Sequence, residues 1–222
     1  MKMIVQKISK KNTAVRKPTL LLDWQKRLAK IDITVAGETN LTYILLAGFG
    51  NTQSREITIR LMKQSSVAIV GIFTGNKKQT YRCDLSVLHT GAGSRSRVVL
   101  KGIFTDAADA MLNGTIHILP KGQQADARLE ERVLLLSNEA RARTIPNLEI
   151  EANDVKASHA ATVSRISDDE LFYLETRGLS KQRAEKMLLS SFLHSPLTAL
   201  PEGTLRDTLE RVLDKKIEEF TG

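Results

Sequence analysis

Between residues 31 and 165 the chain is a succession of short apolar runs broken by Gly, Asn, Asp and Ser, with no stretch of helical periodicity between them. The runs are ITVAG (33–37), YILLAGF (43–49), EITIRLM (56–62), SVAIVGIF (66–73), YRCDLSVLHT (81–90), RVVLKGIF (97–104), GTIHIL (114–119), RVLLL (132–136), NLEIEA (147–152) and HAATVS (159–164). Each has the length of an ordinary strand, so a mainly β core is required. A sandwich or barrel needs tight hairpins, yet the one Asn-Gly pair placed near a run, Asn113-Gly114, falls at the start of that run. A parallel β-helix instead stacks coils of similar length. Gly48, Gly71, Gly91 and Gly114 recur at nearly even spacing, and VAIVGIF returns in form as VVLKGIF. Periodicity leaves both architectures open.

After residue 165 helix formers take over. Ser167 and Glu170 read as a capping box at the start of a helix over Asp168 to Arg177, and Gly178 supplies the left-handed residue that ends it. Ser180 caps a second helix from Lys181 to about His194, with Ala184, Met187, Leu188, Phe192 and Leu193 on its apolar side. Pro196 and Pro201 bracket a loop, and a third helix follows from about Thr204 to Phe220, striped by Leu205, Leu209, Val212, Leu213, Ile217 and Phe220. Such helices are expected to cap the open edge of the β core and to offer a docking face.

Charge is concentrated in residues 1–30, where nine Lys or Arg face one acid, Asp23; the rest of the chain balances 24 basic against 24 acidic side chains. The high pI is therefore a property of one segment, read as a solvated basic arm. Trp24, Tyr43 and Phe49 are the aromatics before position 73, too few for a stacking platform, so nucleic acid is not an expected partner. One cysteine excludes an internal disulfide and a thiolate cluster built by this chain alone, and points to a reduced cytoplasm. No apolar run reaches the length of a membrane span.

His159, set among small residues, can ligate iron, move a proton or hydrogen-bond within a core. Cys83 in YRCDLSVL can accept sulfur or ligate iron if its thiolate is stabilised, with Arg82 adjacent, or serve as a small buried apolar residue. Glu151 and Asp154 lie near His159 in sequence, and Glu149 and Glu151 share one strand face. HTGAGSRSR lacks the lysine of a phosphate-cradling loop, so no nucleotide site is expected on this chain.

The segments SRSRVVLKGIFTDAADAMLNGTIHI, PNLEIEANDVKASHAATVSRI and DDELFYLETRGLS, with the amphipathic helix that follows them, resemble the C-terminal signature of the SufB/SufD family, scaffold proteins of the Suf iron-sulfur cluster assembly system. The resemblance runs from about Gly93 to Leu193 and is closer to the SufD branch, whose turn between LEI and SHxAT is short. It implies a right-handed parallel β-helix core over 31–165, after the basic segment 1–30 and before a helical domain over 166–222. It also implies a short form that lacks most of the N-terminal region of familiar members. A non-enzymatic, cytoplasmic scaffold is expected, docking a SufC-like ABC ATPase through its C-terminal helices, with Phe172, Leu188 and Phe192 at the contact. A second SufB/SufD-like chain, identical or different, would pair with it near His159, the expected metal ligand. A transient iron-sulfur cluster would be shared across that interface, with a cysteine desulfurase system supplying sulfur. Ala157 stands where SufD-like sequences commonly have cysteine, and Ala160 where SufB-like sequences have glutamate, so further ligands must come from another chain. The alternative is a β-helix dimer that assembles or regulates the ATPase without binding a cluster.

Overall fold

Alternating and continuous apolar runs mark two different sheets. In the computed structural model, which describes residues 4–7, 12–24, 29–48 and 53–221, thirteen strands wind as a parallel β-solenoid. Odd-numbered strands form a seven-stranded sheet: β1 (Ile4–Lys7), β3 (Thr19–Trp24), β5 (Asn40–Ala47), β7 (Ser66–Gly75), β9 (Arg95–Phe104), β11 (Ala125–Leu135) and β13 (Val155–Ser164). Even-numbered strands form a six-stranded sheet: β2 (Asn12–Val15), β4 (Lys30–Val35), β6 (Gln53–Leu61), β8 (Thr80–His89), β10 (Asp109–Ile118) and β12 (Arg141–Ile150). Strands β8 and β10 alternate buried with half-buried or exposed residues, because only their inward face meets the core. Strand β7 is buried along nearly its whole length, because both of its faces are covered.

Stacking is in register. On the even sheet Ile33, Ile59, Val87, Ile116 and Leu148 form one column, and each coil is a little longer than the one before it. The glycine spacing is shorter than any of these coils and is not their period: a coil needs two strands and two turns, and the glycines occupy unrelated places in it. The period is kept by turn residues with left-handed backbone, Glu38, Gln64, Gly93 and Gln124 on one side, and Lys77 and Asp106 on the other. Each recurs once per coil, yet only Gly93 is glycine. VAIVGIF and VVLKGIF are also not matched as the sequence aligns them, since Phe73 sits opposite Gly102.

The solenoid already includes strands within residues 1–30. Val15, Leu20, Leu21 and Leu22 are buried, so these apolar positions override the charge of the segment. Lys2, Lys10, Lys11, Lys26, Arg27 and Phe49 lie outside the described residues. Inside the solenoid, Asp23 accepts a hydrogen bond from Tyr43 (2.7 Å) and lies 3.7 Å from the Arg55 guanidinium, a buried charge with its counter-charge. His89 is held between Ser94 (2.8 Å) and Ser96 (2.9 Å), and burial pushes its pKa down to about 4, so it is neutral and structural.

The three helices follow their sequence signals closely: α1 (Asp168–Thr176), α2 (Lys181–His194) and α3 (Thr204–Thr221), with a 3-10 turn over Ser195–Ala199. Ser167 and Ser180 accept from the backbone N–H of Glu170 and Arg183, and Gly178 takes φ +89° just beyond α1. Their location differs from expectation. α2, the 3-10 turn and α3 lie on the outer face of the odd sheet, where Leu189, Leu193, Leu197, Leu209, Leu213 and Ile217 pack with Leu20, Leu22, Ile44, Leu46, Val70, Ile72 and Ile103. The helices therefore cover a flank rather than the open end, because β5 and β7 present a second apolar face that must be buried.

Candidate functional site

The final coil of the solenoid is bare. β13 pairs with β11 alone and β12 with β10 alone, so each has one edge with no strand beside it among the described residues. Ile145, Ile150 and Val163 are exposed apolar residues on this coil, at 38%, 46% and 39%. His159 lies in the middle of β13 and is exposed. It is in register with Leu129, which is buried in the core, so its imidazole lies on the inward face of the sheet at the open end of the lumen. Ala157 and Ala161 flank it on the same face, over Ala127 and Glu131. No carboxylate or thiol on β13 accompanies His159, and the described residues hold no group of three or more metal-ligating side chains.

The other candidates are dispersed. Cys83 is buried in β8, where burial, with the charges of Asp84 and Glu131 adding to it, pushes its thiol up to about 12. A protonated, enclosed thiol cannot meet sulfur donors at the surface. Glu151 turns to the outer face of the even sheet, where it contacts His117 Nε2 while Glu149 stands 3.4 Å from Nδ1. Sequence reading misses His117 because it lies one coil away, on β10, where only the strand register sets it opposite Glu149. Asp154 is exposed in the turn before β13, its backbone N–H donating to Gln123 (3.1 Å). Neither acid joins His159.

Of the docking candidates, Phe172 is 68% exposed on α1, beside Tyr173 at 57%, and Met187 on α2 is 52% exposed. Leu188 is half-buried. Phe192 belongs to the seam between helices and solenoid: Lys101 Nζ lies 4.5 Å from its ring centre, and donates to the Phe192 carbonyl (3.1 Å) and the Ser195 hydroxyl (2.6 Å).

Beneath the bare coil lies a residue that the sequence did not flag. Glu131 is wholly buried, and neither carboxylate oxygen has a hydrogen-bond partner in the structure. A Cβ on Gly114 would come within 2.5 Å of Oε1, so this glycine makes the room the carboxylate occupies. Burial pushes the acid up to about 7, against a smaller opposing contribution from the Gly114 backbone.

Comparison with known proteins places these features in context. Residues 11–192 match the family model described as "SUF system FeS cluster assembly, SufBD core domain". The chain is 33% identical over 147 residues to the iron-sulfur cluster assembly protein SufD of Bacillus subtilis, covering 66% of this chain and 34% of that protein. It is 37% identical over 125 residues to SufD of Escherichia coli, covering 56% and 30% respectively. A SufBD family protein of Methanothermobacter thermautotrophicus is 28% identical over 176 residues, covering 79% of this chain and 42% of its own length. The chain thus spans about a third of the two SufD relatives it matches.

Proposed function

The chain belongs to the SufBD core family of the Suf iron-sulfur cluster assembly system, and from that membership we propose that it is a non-enzymatic scaffold whose bare coil is the pairing face for a second scaffold chain. The observation that carries this reading is His159, exposed at the centre of an unpaired edge strand at the open end of the lumen. An edge strand recruits a partner by completing its backbone hydrogen bonds, which brings the partner's side chains against His159. The nascent cluster is cargo, held between chains: His159 offers one ligand, and with alanine at 157 and 160 the remaining ligands come from the partner. No helix among the described residues is long and apolar enough to cross a membrane, and the relatives are named as assembly proteins. The cytoplasm is the proposed working compartment, with a cysteine desulfurase system as the sulfur source.

The exposed face of α1 and α2, carrying Phe172, Tyr173, Met187 and the half-buried Leu188, is assigned to a SufC-like ABC ATPase. Phe192 supports that face from beneath. Co-purification with such an ATPase tests the docking: Phe172→Asp with Leu188→Asp is expected to abolish the complex, and an intact complex would contradict it. Anaerobic reconstitution of the paired scaffold with iron and sulfide tests the cluster site. His159→Ala is expected to lose the cluster absorbance, whereas equal absorbance favours a scaffold that assembles or regulates the ATPase without binding a cluster itself.

A further inference from the structure

The outer faces of the two sheets handle their charges differently. On strands β4, β6 and β8 of the even sheet, Lys30 pairs with Glu56, Arg60 with Asp32, and Arg82 with Asp84 (2.8 Å), so each cation has an acid beside it. On the odd sheet, the first outward positions of the last three strands carry Arg95 and Arg97 on β9, Asp126 and Arg128 on β11, and Lys156 and Ser158 on β13. The register sets Arg95 and Lys156 on either side of Asp126, and Arg97 directly beside Arg128. All four cations are exposed, while the alternate residues Ser96, Ala127 and Leu129 are buried on the inward face. One acid stands among four cations.

That acid is already engaged. Asp126 accepts from Arg97 Nη2 (2.8 Å), and Arg97 Nη1 donates to the carbonyls of Asp126 (3.2 Å) and Ser96 (3.0 Å), which ties this guanidinium to the sheet. The hydrogen bond from Arg97 holds the Asp126 carboxyl below the usual range; burial opposes it, and the charges of Arg97, Arg128 and Lys156 add to it. Arg95, Arg128 and Lys156 have no ion-pair partner among the described residues. Adjacent strands lie about 4.8 Å apart, so Arg97 and Arg128 repel each other side by side, a cost that an incoming anion removes. In the flanking turns, exposed Lys63 and Lys121 outweigh exposed Asp154.

We infer that this patch is a docking surface for an acidic segment of a partner protein. Charge complementarity sets the sign of the occupant, and the surroundings set its class. The outward positions beside the cations are Thr42, Ser66, Ala68 and Ser158, so no aromatic ring is there to stack a base. Asp126 at the centre repels a continuous phosphate chain laid across it, whereas a peptide can set its acids on Arg95, Arg128 and Lys156 and an N–H donor over Asp126. Two strand spacings, about 10 Å, separate the backbones of Arg95 and Lys156, which matches carboxylates two turns apart on a helix or three residues apart in an extended chain. The patch lies on the opposite face of β13 from His159 and requires neither the bare edge nor a cluster.

Fluorescence anisotropy of a labelled oligoglutamate peptide titrated with the intact chain tests this, with a labelled oligothymidylate of equal length as the rival probe. Wild type is expected to bind the peptide saturably, and more weakly as salt is raised. Arg128→Glu with Lys156→Glu is expected to weaken binding at least about tenfold. Arg141→Glu with Arg143→Glu, the same change in net charge on the outer face of the even sheet, is expected to alter it less than about twofold. Asp126→Asn removes the central acid and is expected to tighten binding by about threefold or more, which keeps the test open should the reversed variant fail to fold. Equal losses in the two double variants, with thermal melts matching wild type, would reduce the effect to net charge and overturn the site. So would a wild type without saturable peptide binding, or an Asp126→Asn variant that binds no better. Tighter binding of the oligothymidylate than of the peptide would overturn the protein partner in favour of nucleic acid.

Discussion

The odd sheet presents two surfaces that a solenoid must manage, its flank and its final edge, and the chain treats them oppositely. On the flank, Leu189, Leu193, Leu213 and Ile217 are sealed against Ile44, Val70 and Ile103. At the edge, Val163 and His159 stay exposed on a strand with one side unpaired. An uncovered edge is a template for pairing, and most folds blunt it. Here α2, the 3-10 turn and α3 cover the flank instead and leave the edge bare, and the proposed pairing gives that edge a use.

Introducing a charge at each place separates the two. Leu193→Asp buries a lone carboxylate in the seam and should cost more than about 4 kcal/mol in urea unfolding. Val163→Asp should change stability by less than about 0.5 kcal/mol while weakening the proposed pairing with a second SufB/SufD-like chain. Equal costs would erase the distinction between flank and edge.

Glu131 sits between the two regimes, one coil beneath the bare end. Its folded pKa, about 7, is raised above the ordinary 4.5. The folded state holds the proton more tightly, so the contribution of this group is fully present below about pH 4.5 and is lost as pH rises through about 7, by about 3 kcal/mol, from 1.36 kcal/mol per unit. Glu131→Gln is expected to remove that slope and to be the more stable protein at pH 8. An unchanged slope would mean the carboxylate gains a partner or water in solution. Lys101→Met, which removes the ammonium that ties the odd sheet to Phe192 and Ser195, should cost about 1–3 kcal/mol and loosen the helices first, read as faster hydrogen exchange in α2. His159→Ala should be the smallest change, within about 0.5 kcal/mol of wild type, because the side chain is exposed at the lumen mouth.

What the sequence disclosed follows from how local each signal is. Helix boundaries were legible because Ser167, Gly178 and Ser180 act within one turn of themselves. The contrast between the continuous YILLA and the alternating YRCDLSVL already encoded which strands have two buried faces. The coil period was not legible, because Gln64, Lys77, Asp106 and Gln124 adopt the left-handed turn conformation usually marked by glycine. The first half of β11 escapes sequence reading, since Ala125, Ala127 and Glu131 are weak or contrary markers of an inward face. Buried glutamate in an apolar column has no local signature. The site was half visible: His159 stood out, but its place at a bare lumen mouth depends on where the coils stop, and the His117–Glu151 contact depends on a register between strands of successive coils. Phe192 reads from sequence simply as part of the apolar stripe of α2; only the packing against the solenoid and Lys101 shows that it sits in the seam.

Hydrogen exchange across β13 measures the central claim most directly. When the intact chain is concentrated, or a second SufB/SufD-like chain is added, amides of Val155 to Ser164 should gain protection while those of α2 and β9 stay constant. Protection in β13 that is independent of concentration, both alone and with a second SufB/SufD-like chain added, would contradict the assignment of the bare end as the pairing face.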